Sequence, residues 1–236
     1  MNLSKPLVAI FNESFKTETF PEILKRTKIR PLFKKGEKTT PGNYRPVANI
    51  SVFAKIFELV VSRKIKDFLT KFLILNKAQF GYQDRKSTTD ALVAFVSEIY
   101  QGMAERKFIK GFCFDLTKAF DLVYHEILFN KLDKYGIRGP FLSWIKSYLE
   151  NREQFVEIEN CYDIKVTSDI EKINVGVPQG SVLGPLLFIL YINDIVENVH
   201  IGNKIMFVDD LSILIKCDTE EESRQAESVM LSQLEK

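Results

Sequence analysis

The chain has 236 residues, of which 45% are hydrophobic and 27% are charged, and its formal net charge is +2. This length allows one or two domains around a buried core, and the composition excludes a disordered or fibrous protein. The only cysteines, Cys113, Cys161 and Cys217, are odd in number and contain no close pair, which argues against a disulfide framework or a cysteine-rich zinc site.

The first hundred residues combine a basic segment with two amphipathic helices. Residues 24–46 contain one acid, Glu37, and eight bases: Lys25, Arg26, Lys28, Arg30, Lys34, Lys35, Lys38 and Arg45. A local basic surface attracts phosphates even when the whole chain is nearly neutral. Apolar residues at helical spacing predict a helix from Val52. The Ser87-Thr-Thr-Asp90 cap predicts the start of the next helix, whose buried face comprises Leu92, Phe95, Val96, Ile99 and Met103.

From Lys110 onward, the pattern alternates between short strands and helices. Residues 112–114 predict a strand that ends at Asp115, followed by helices over 125–134 and 140–150 and by strands around 164–166 and 173–177. A long apolar stretch predicts a buried helix over 183–199. Residues 204–208 and 211–215 predict a hairpin with Asp209 and Asp210 at its turn, before a last helix. This mixture predicts an α+β fold.

Asp115, Asp209 and Asp210 follow apolar strands and are the candidate catalytic residues. Taken alone, an Asp-Asp pair usually marks a turn, and a single Asp at a strand-to-helix corner usually caps the helix. If the strands are neighbours, however, the three carboxylates converge. Two carboxylates about 4 Å apart repel by roughly 4 kcal/mol near a protein surface, so they must protonate, pair with bases or hold cations. Magnesium suits such an oxygen-only site, which would support two-metal phosphoryl transfer.

Three segments carry a family resemblance. They are Phe114-Asp115-Leu-Thr-Lys-Ala-Phe120-Asp121, Gly176-Val-Pro-Gln-Gly180-Ser-Val-Leu-Gly-Pro185 and Met206-Phe-Val-Asp-Asp210. In this order they resemble the palm motifs of reverse transcriptases, and most of all those of non-LTR retrotransposons of the LINE or jockey type. The second segment is the most specific of the three. The resemblance extends over about residues 7–210, with Val208 in place of the alanine that commonly precedes the two acids.

The resemblance implies an RNA-directed DNA polymerase with the fingers and palm of a right-hand polymerase. It implies a ferredoxin-like palm sheet with helices on one face, a fingers region over 1–108 and a palm region over 109–236, with the thumb absent. Asp115 and Asp209 would bridge two Mg²⁺ ions and Asp210 would support them. The partners implied are an RNA template, a DNA primer and dNTPs. The absence of a thumb and of an endonuclease suggests a truncated chain.

The resemblance also implies a nucleotide-binding set. Phe120 would block a ribose 2′-hydroxyl, although an aromatic residue in this pattern can equally be a core residue. Gln179 and Gly180 would approach the nucleotide closely. Arg45 and one of Lys34 and Lys35 would grip the triphosphate, the choice between the two lysines remaining open; without the other motifs, a solvated basic loop is the simpler interpretation. The segment Lys77-Ala-Gln-Phe-Gly81 resembles a template-contact landmark.

Two rival functions remain open. One is a catalytically inactive remnant that at most binds nucleic acid, and the other is a metal-dependent nuclease, which would not need Phe120, Gln179 or the basic pair.

The longest apolar stretch, residues 182–192, is too short to cross a bilayer, and no signal peptide is recognised. The sequence therefore predicts an intracellular protein without a membrane partner, with the nucleus as the compartment of an active parent element. It does not determine the oligomeric state.

Overall fold

The computed structural model describes residues 3–159 and 164–234. The chain forms two compact units, each built from two stretches of sequence. Unit 1 comprises Met1–Phe68 and Phe120–Leu187, and unit 2 comprises Leu69–Ala119 and Phe188–Lys236. The helices are α1 (Ser4–Lys16), α2 (Val52–Lys71), α3 (Thr88–Ala104), α4 (His125–Lys134), α5 (Pro140–Leu149), α6 (Leu183–Tyr191) and α7 (Glu220–Leu234). The strands are β1 (Arg26–Phe33), β2 (Tyr44–Asn49), β3 (Phe108–Asp115), β4 (Arg152–Glu159), β5 (Lys165–Thr167), β6 (Glu171–Ile173), β7 (Asn203–Phe207) and β8 (Asp210–Cys217).

Unit 1 contains a five-stranded sheet and an aromatic core. Strand β1 pairs with β2 antiparallel and with β4 parallel, and β5 and β6 both pair with β4. Phe20, Phe57, Trp144 and Tyr148 are fully buried and contact one another ring to ring. The indole Nε1 of Trp144 donates a hydrogen bond to Ser14 Oγ at 3.0 Å. Burial of large rings with satisfied polar groups is a strong source of stability, so this core holds α1, α2 and α5 together.

Unit 2 contains the antiparallel sheet β3-β8-β7. Helix α3 packs against one face of this sheet, where its Phe95 and Ile99 meet Ile109, Ile205 and Leu214. Successive strand residues point to opposite faces, so the neighbour of Ile109, Lys110, points away from α3. Its Nζ forms a 2.8 Å ion pair with Glu227 of α7. The structure thus places α3 and α7 against opposite faces of this sheet.

The α+β fold class is confirmed, and most of the predicted elements are present. The capping box at Ser87 and Asp90 begins α3 as predicted. The helix predicted over 183–199 was too long, because α6 ends at Tyr191 and turns follow it. Strands β1, β2 and β4 were missed, because their charged and proline residues hide the alternation of a strand.

The predicted buried face of α3 was partly wrong. The buried residues of α3 are Ala91 and Gly102, and Phe95 and Ile99 are partly buried. The exposed apolar side chains of this helix are Leu92, Val93, Val96, Tyr100 and Met103. Small residues line the sheet side because the helix lies close to it: a Cβ on Gly102 would come within 2.8 Å of Ile109 Cδ1.

None of the helices in the described ranges is both long and apolar enough to cross a membrane.

Candidate active site

The acids at the ends of β3 and β8 face each other in unit 2. The antiparallel register pairs Asp115, the last residue of β3, directly with Asp210, the first residue of β8. Directly opposed residues have Cβ atoms about 4.5–5.5 Å apart and lie on the same face of the sheet. Two acids from distant parts of the sequence are therefore neighbours, as the sequence analysis predicted.

The turn before Asp210 begins one residue earlier than predicted. Phe207 pairs with Asp210 across the β7–β8 hairpin, so the two turn residues are Val208 and Asp209. Val208 has a φ of 59°, in the left-handed region. A β-branched residue there is a genuine outlier that costs about 1–3 kcal/mol and persists only where its surroundings enforce it. The acid pair thus follows a strained residue.

Asp210 interacts electrostatically with Asp209 and Asp115. The pKa of Asp210 is raised, first by partial burial of its carboxyl and then by the negative charges of Asp209 and Asp115. Among the described residues, none of the three forms an ion pair with Lys, Arg or His. Unbalanced, oxygen-only groups of this kind fit a divalent cation. Nevertheless, in the described ranges no three His, Cys, Asp or Glu side chains are already arranged to hold a metal.

The basic candidates lie at the loop end of the β1–β2 hairpin in unit 1. Strands β1 and β2 pair in a register that sets Leu32 opposite Arg45, and the N–H of Lys34 donates to the carbonyl of Asn43 at 2.9 Å. Lys34 therefore leaves β1 near the start of β2, and Lys35 enters the connecting loop. The side chains of Lys34, Lys35 and Arg45 are all exposed. The hairpin presents three cations to solvent from one short region.

The loop that carries Gln179 and Gly180 packs against β2, also within unit 1. The N–H of Ala48 donates to the carbonyl of Gln179 at 2.7 Å. Gly180 has a φ of 109°, and a Cβ there would lie 2.8 Å from the carbonyl oxygen of Ala48. Only glycine fits both this backbone conformation and this approach. The structure thus places Gln179 and Gly180 beside the strand that begins with Tyr44 and Arg45.

Phe120 and Asp121 contact the same loop. The carbonyl of Phe120 accepts a hydrogen bond from the N–H of Val177 at 2.8 Å, and its side chain is half-buried. The Nε2 of Gln179 donates to Oδ1 of Asp121 at 2.8 Å. Asp121 is the last residue of the motif that begins at Phe114, but the sequence predicted no role for it.

A cavity of about 570 Å³ in unit 1 includes Gln179 and Asp121 in its lining, together with Arg152. Arg152 is 2% exposed and donates to the Tyr148 carbonyl and to Thr27 Oγ1, at 3.2 and 3.1 Å. Its Nε has no partner among the described residues. The sequence predicted no site role for Arg152, although its segment, Asn151-Arg-Glu-Gln154, resembles a family landmark of the fold.

Comparisons with known proteins agree with the motifs. A family model described as reverse transcriptase (RNA-dependent DNA polymerase) matches residues 33–236. A probable RNA-directed DNA polymerase from transposon BS of Drosophila melanogaster is 32% identical over 190 residues, which are 80% of this chain and 20% of the relative. The RNA-directed DNA polymerase from mobile element jockey of the same species is 29% identical over 210 residues, 89% of this chain and 22% of the relative. The chain thus spans about a fifth of the length of these relatives.

Solved structures show the same fold. A telomerase from Candida albicans, in complex with a TWJ fragment of telomeric RNA, superposes with a TM-score of 0.60 at 11% identity, covering 94% of this chain and 42% of that one. An apo telomerase from Candida tropicalis, truncated from the C-terminal domain, gives a TM-score of 0.57 at 13% identity, covering 94% and 50%. This likeness confirms the fingers-and-palm fold. Because the family model covers most of the chain, the protein belongs to the reverse transcriptase (RNA-dependent DNA polymerase) family, as its resemblance to the non-LTR retrotransposon enzymes indicated.

Proposed function

We propose that this domain catalyses RNA-directed DNA synthesis, adding dNTPs to the 3′-end of a DNA primer on an RNA template. The observation that supports this most is the direct pairing of Asp115 with Asp210 beside Asp209, in a member of a polymerase family. The family uses divalent metal ions. The pKa of Asp210 is raised by partial burial and by its two acidic neighbours. A bound cation would reduce this repulsion between the carboxylates.

In this proposal, Asp115 and Asp209 hold two Mg²⁺ ions and Asp210 supports them. When bound, such ions lower the pKa of a primer 3′-hydroxyl and stabilise the leaving pyrophosphate. The chain's own contribution is to hold Asp115 and Asp210 opposite each other at the ends of β3 and β8, with Asp209 in the adjoining turn. Side chains carried on strands are positioned more precisely than side chains on loops, and precise positioning favours catalysis.

We assign nucleotide binding to Lys34, Lys35, Arg45, Phe120, Gln179 and Gly180. Arg45 offers a fork of donors to the triphosphate and the lysines offer mobile charges. Phe120 excludes the ribose 2′-hydroxyl, while Gln179 and Gly180 line the approach of the base and sugar. In functional terms, residues 1–108 form the fingers and residues 109–236 the palm. An active parent protein works in the nucleus.

The test is primer extension by the full-length protein on an RNA template annealed to a DNA primer, with dNTPs and Mg²⁺. Asp209→Asn should lower the rate at least about 100-fold, because several kcal/mol of metal-held charge stabilisation is lost and 1.36 kcal/mol corresponds to tenfold. Asp169→Asn makes the same chemical change at an exposed loop position and should leave the rate unchanged. Binding of template and primer should survive both changes.

The rival functions give different results in the same assay. An inactive remnant would bind the template and primer without extending it under any metal condition. A metal-dependent nuclease would cleave the labelled nucleic acid without dNTPs, and would tolerate changes at Gln179 and Arg45. Extension that Asp209→Asn leaves intact would contradict the assignment of the acids.

A further inference from the structure

The side chain of Gln79 reaches into the turn that carries the acid pair. Gln79 is 1% exposed, and its Oε1 accepts a hydrogen bond from the N–H of Val208 at 3.0 Å. Its Nε2 donates to the carbonyl of Val208 at 3.4 Å. One amide thus contacts both backbone polar groups of the strained residue. An amide side chain supplies both the acceptor and the donor that these two groups require.

The backbone around Gln79 continues the sheet of unit 2. Ala78 and Phe80 exchange hydrogen bonds with Met206 of β7, both at 2.8 Å. This pairing forms a parallel bridge between Gln79 and Met206. Backbone pairing therefore stops two residues before Val208, and the Gln79 side chain supplies the next pair of hydrogen bonds, where the chain turns away.

Gly81 allows the segment to come this close. Its N–H donates to Oε1 of Gln79 at 2.7 Å, which holds the amide in place. A Cβ at Gly81 would lie 2.5 Å from Val208 Cγ2 and 2.7 Å from the Val208 nitrogen. Any side chain here would push the segment away from the turn.

Side chains that follow Gln79 in the sequence hold its backbone carbonyl. The carbonyl of Gln79 accepts hydrogen bonds from Nε2 of Gln83 and Nζ of Lys86, both at 2.6 Å. Nζ of Lys86 also lies 4.8 Å from the centre of the Phe80 ring. The backbone of Gln79 is therefore held in place, and its side chain is buried and directed at Val208.

We propose that Gln79 is a positioning residue for the acid-bearing turn: its amide holds Val208 in the left-handed conformation and so sets the directions of Asp209 and Asp210. This inference rests on the proposed function for its catalytic consequence. The dihedral angles of Val208 decide where the next residues point, and a displacement of about 1 Å at a reacting centre can cost about 100-fold in rate. The resemblance implied template contact for this segment; Gln79 instead has its side chain committed inside the protein.

The test compares Gln79→Met, which keeps the length but removes the amide, with Gln101→Met as matched control. Gln101 is exposed on α3, where its amide bonds only at the surface, to Glu105 and Lys216. In Gln79→Met, the Val208 amide should exchange its hydrogen at least about 10-fold faster by NMR. Affinity for Mn²⁺, followed by electron paramagnetic resonance, and kcat for dNTP incorporation should fall by about 10- to 100-fold. The control should match the unmodified protein.

A second variant separates positioning from general destabilisation. Val208→Gly adopts the left-handed conformation without strain, so Gln79→Met should cost several-fold less Mn²⁺ affinity and kcat in that background. Equal losses in both backgrounds, or unchanged Val208 exchange in Gln79→Met, would overturn the inference. If the unmodified protein incorporates no dNTP while exchange and Mn²⁺ affinity respond as expected, the proposed function fails and the positioning role stands.

Discussion

The hydroxyl of Tyr148 donates a buried hydrogen bond to Oε1 of Glu58 at 3.0 Å. The other carboxylate oxygen of Glu58 accepts from the N–H groups of Val182 and Leu183 at 2.6 and 3.2 Å. These are donors at the start of α6, which a helix cannot satisfy itself. A carboxylate is also favoured there by the helix dipole. Glu58 thus anchors the helix that follows the Gln179 loop.

Removal of Glu58 should destabilise unit 1. Glu58→Ala removes the carboxylate acceptor of the Tyr148 hydroxyl and leaves the N–H groups of Val182 and Leu183 without their acceptor, at about 1–3 kcal/mol for each buried group left unsatisfied. Glu58→Gln should cost less, because an amide oxygen still accepts. The measurement is urea unfolding, with the exposed Glu197→Ala as control. A Glu58→Ala midpoint equal to that of the control would contradict the anchoring role.

Titration of Glu58 should make the free energy of unfolding depend on pH. Burial is the largest cause that raises the pKa of its carboxyl above the ordinary value of 4.5, despite its hydrogen bonds. Between the unfolded and the folded pKa, the folded protein binds more protons, so the contribution of Glu58 to stability falls as pH rises through this window. Unfolding free energies of the unmodified protein and of Glu58→Gln, measured from pH about 5 to about 8, should give a difference that declines with pH. A difference that grows with pH would show that the shift has the opposite sign.

Gln179 and Asp121 should act as a pair in nucleotide binding. Because Asp121 accepts the hydrogen bond of the Gln179 amide, Gln179→Met and Asp121→Ala should each raise KM for dNTPs. The double variant should be little worse than the poorer single variant, with a coupling of about 0.5–3 kcal/mol. Steady-state incorporation kinetics provide the measurement, and Gln101→Met serves again as the control. Strictly additive effects would mean that the hydrogen bond has no part in binding.

Phe120→Val should relax the choice between deoxyribonucleotides and ribonucleotides. Selection by shape in a pocket is worth about 10- to 200-fold, so the ratio of kcat/KM for dNTPs and NTPs should fall by that order. Phe108→Val, at an exposed phenylalanine in unit 2, is the matched control. If Phe120 is instead a core residue, its variant will lose stability and keep its selectivity.

Of the two adjacent lysines, Lys34 should contribute more to triphosphate binding. Its backbone is fixed by the hydrogen bond to Asn43 at the end of the hairpin, whereas Lys35 lies in the loop. Lys34→Ala and Arg45→Ala should each raise KM for dNTPs by about 10-fold or more, the loss expected for a charge-assisted hydrogen bond. Lys35→Ala is the internal control and should have a smaller effect; the reverse order would assign the role to Lys35.

The elements that the sequence predicted best are those with strong local signals. Helix α3 begins at a capping box whose two hydrogen bonds involve residues three apart, and α5 begins at a proline. Strands β1 and β4 had no such signal, because their pairing joins residues far apart in sequence and their faces carry charge. The parallel pairing of Lys28 with Phe155, for example, joins residues 127 positions apart in the sequence.

The motifs of this chain determined its family, and the apolar runs before Asp115 and Asp209 determined that acids would stand at strand ends, because both are local properties of the sequence. Tertiary structure alone decided the register that sets Asp115 opposite Asp210, and the turn that begins at Val208. It also decided that Glu58 and Gln79 would serve as internal anchors. The physical reason is that a buried polar side chain takes its role from the backbone groups it must satisfy, and those groups come from residues more than a hundred positions away.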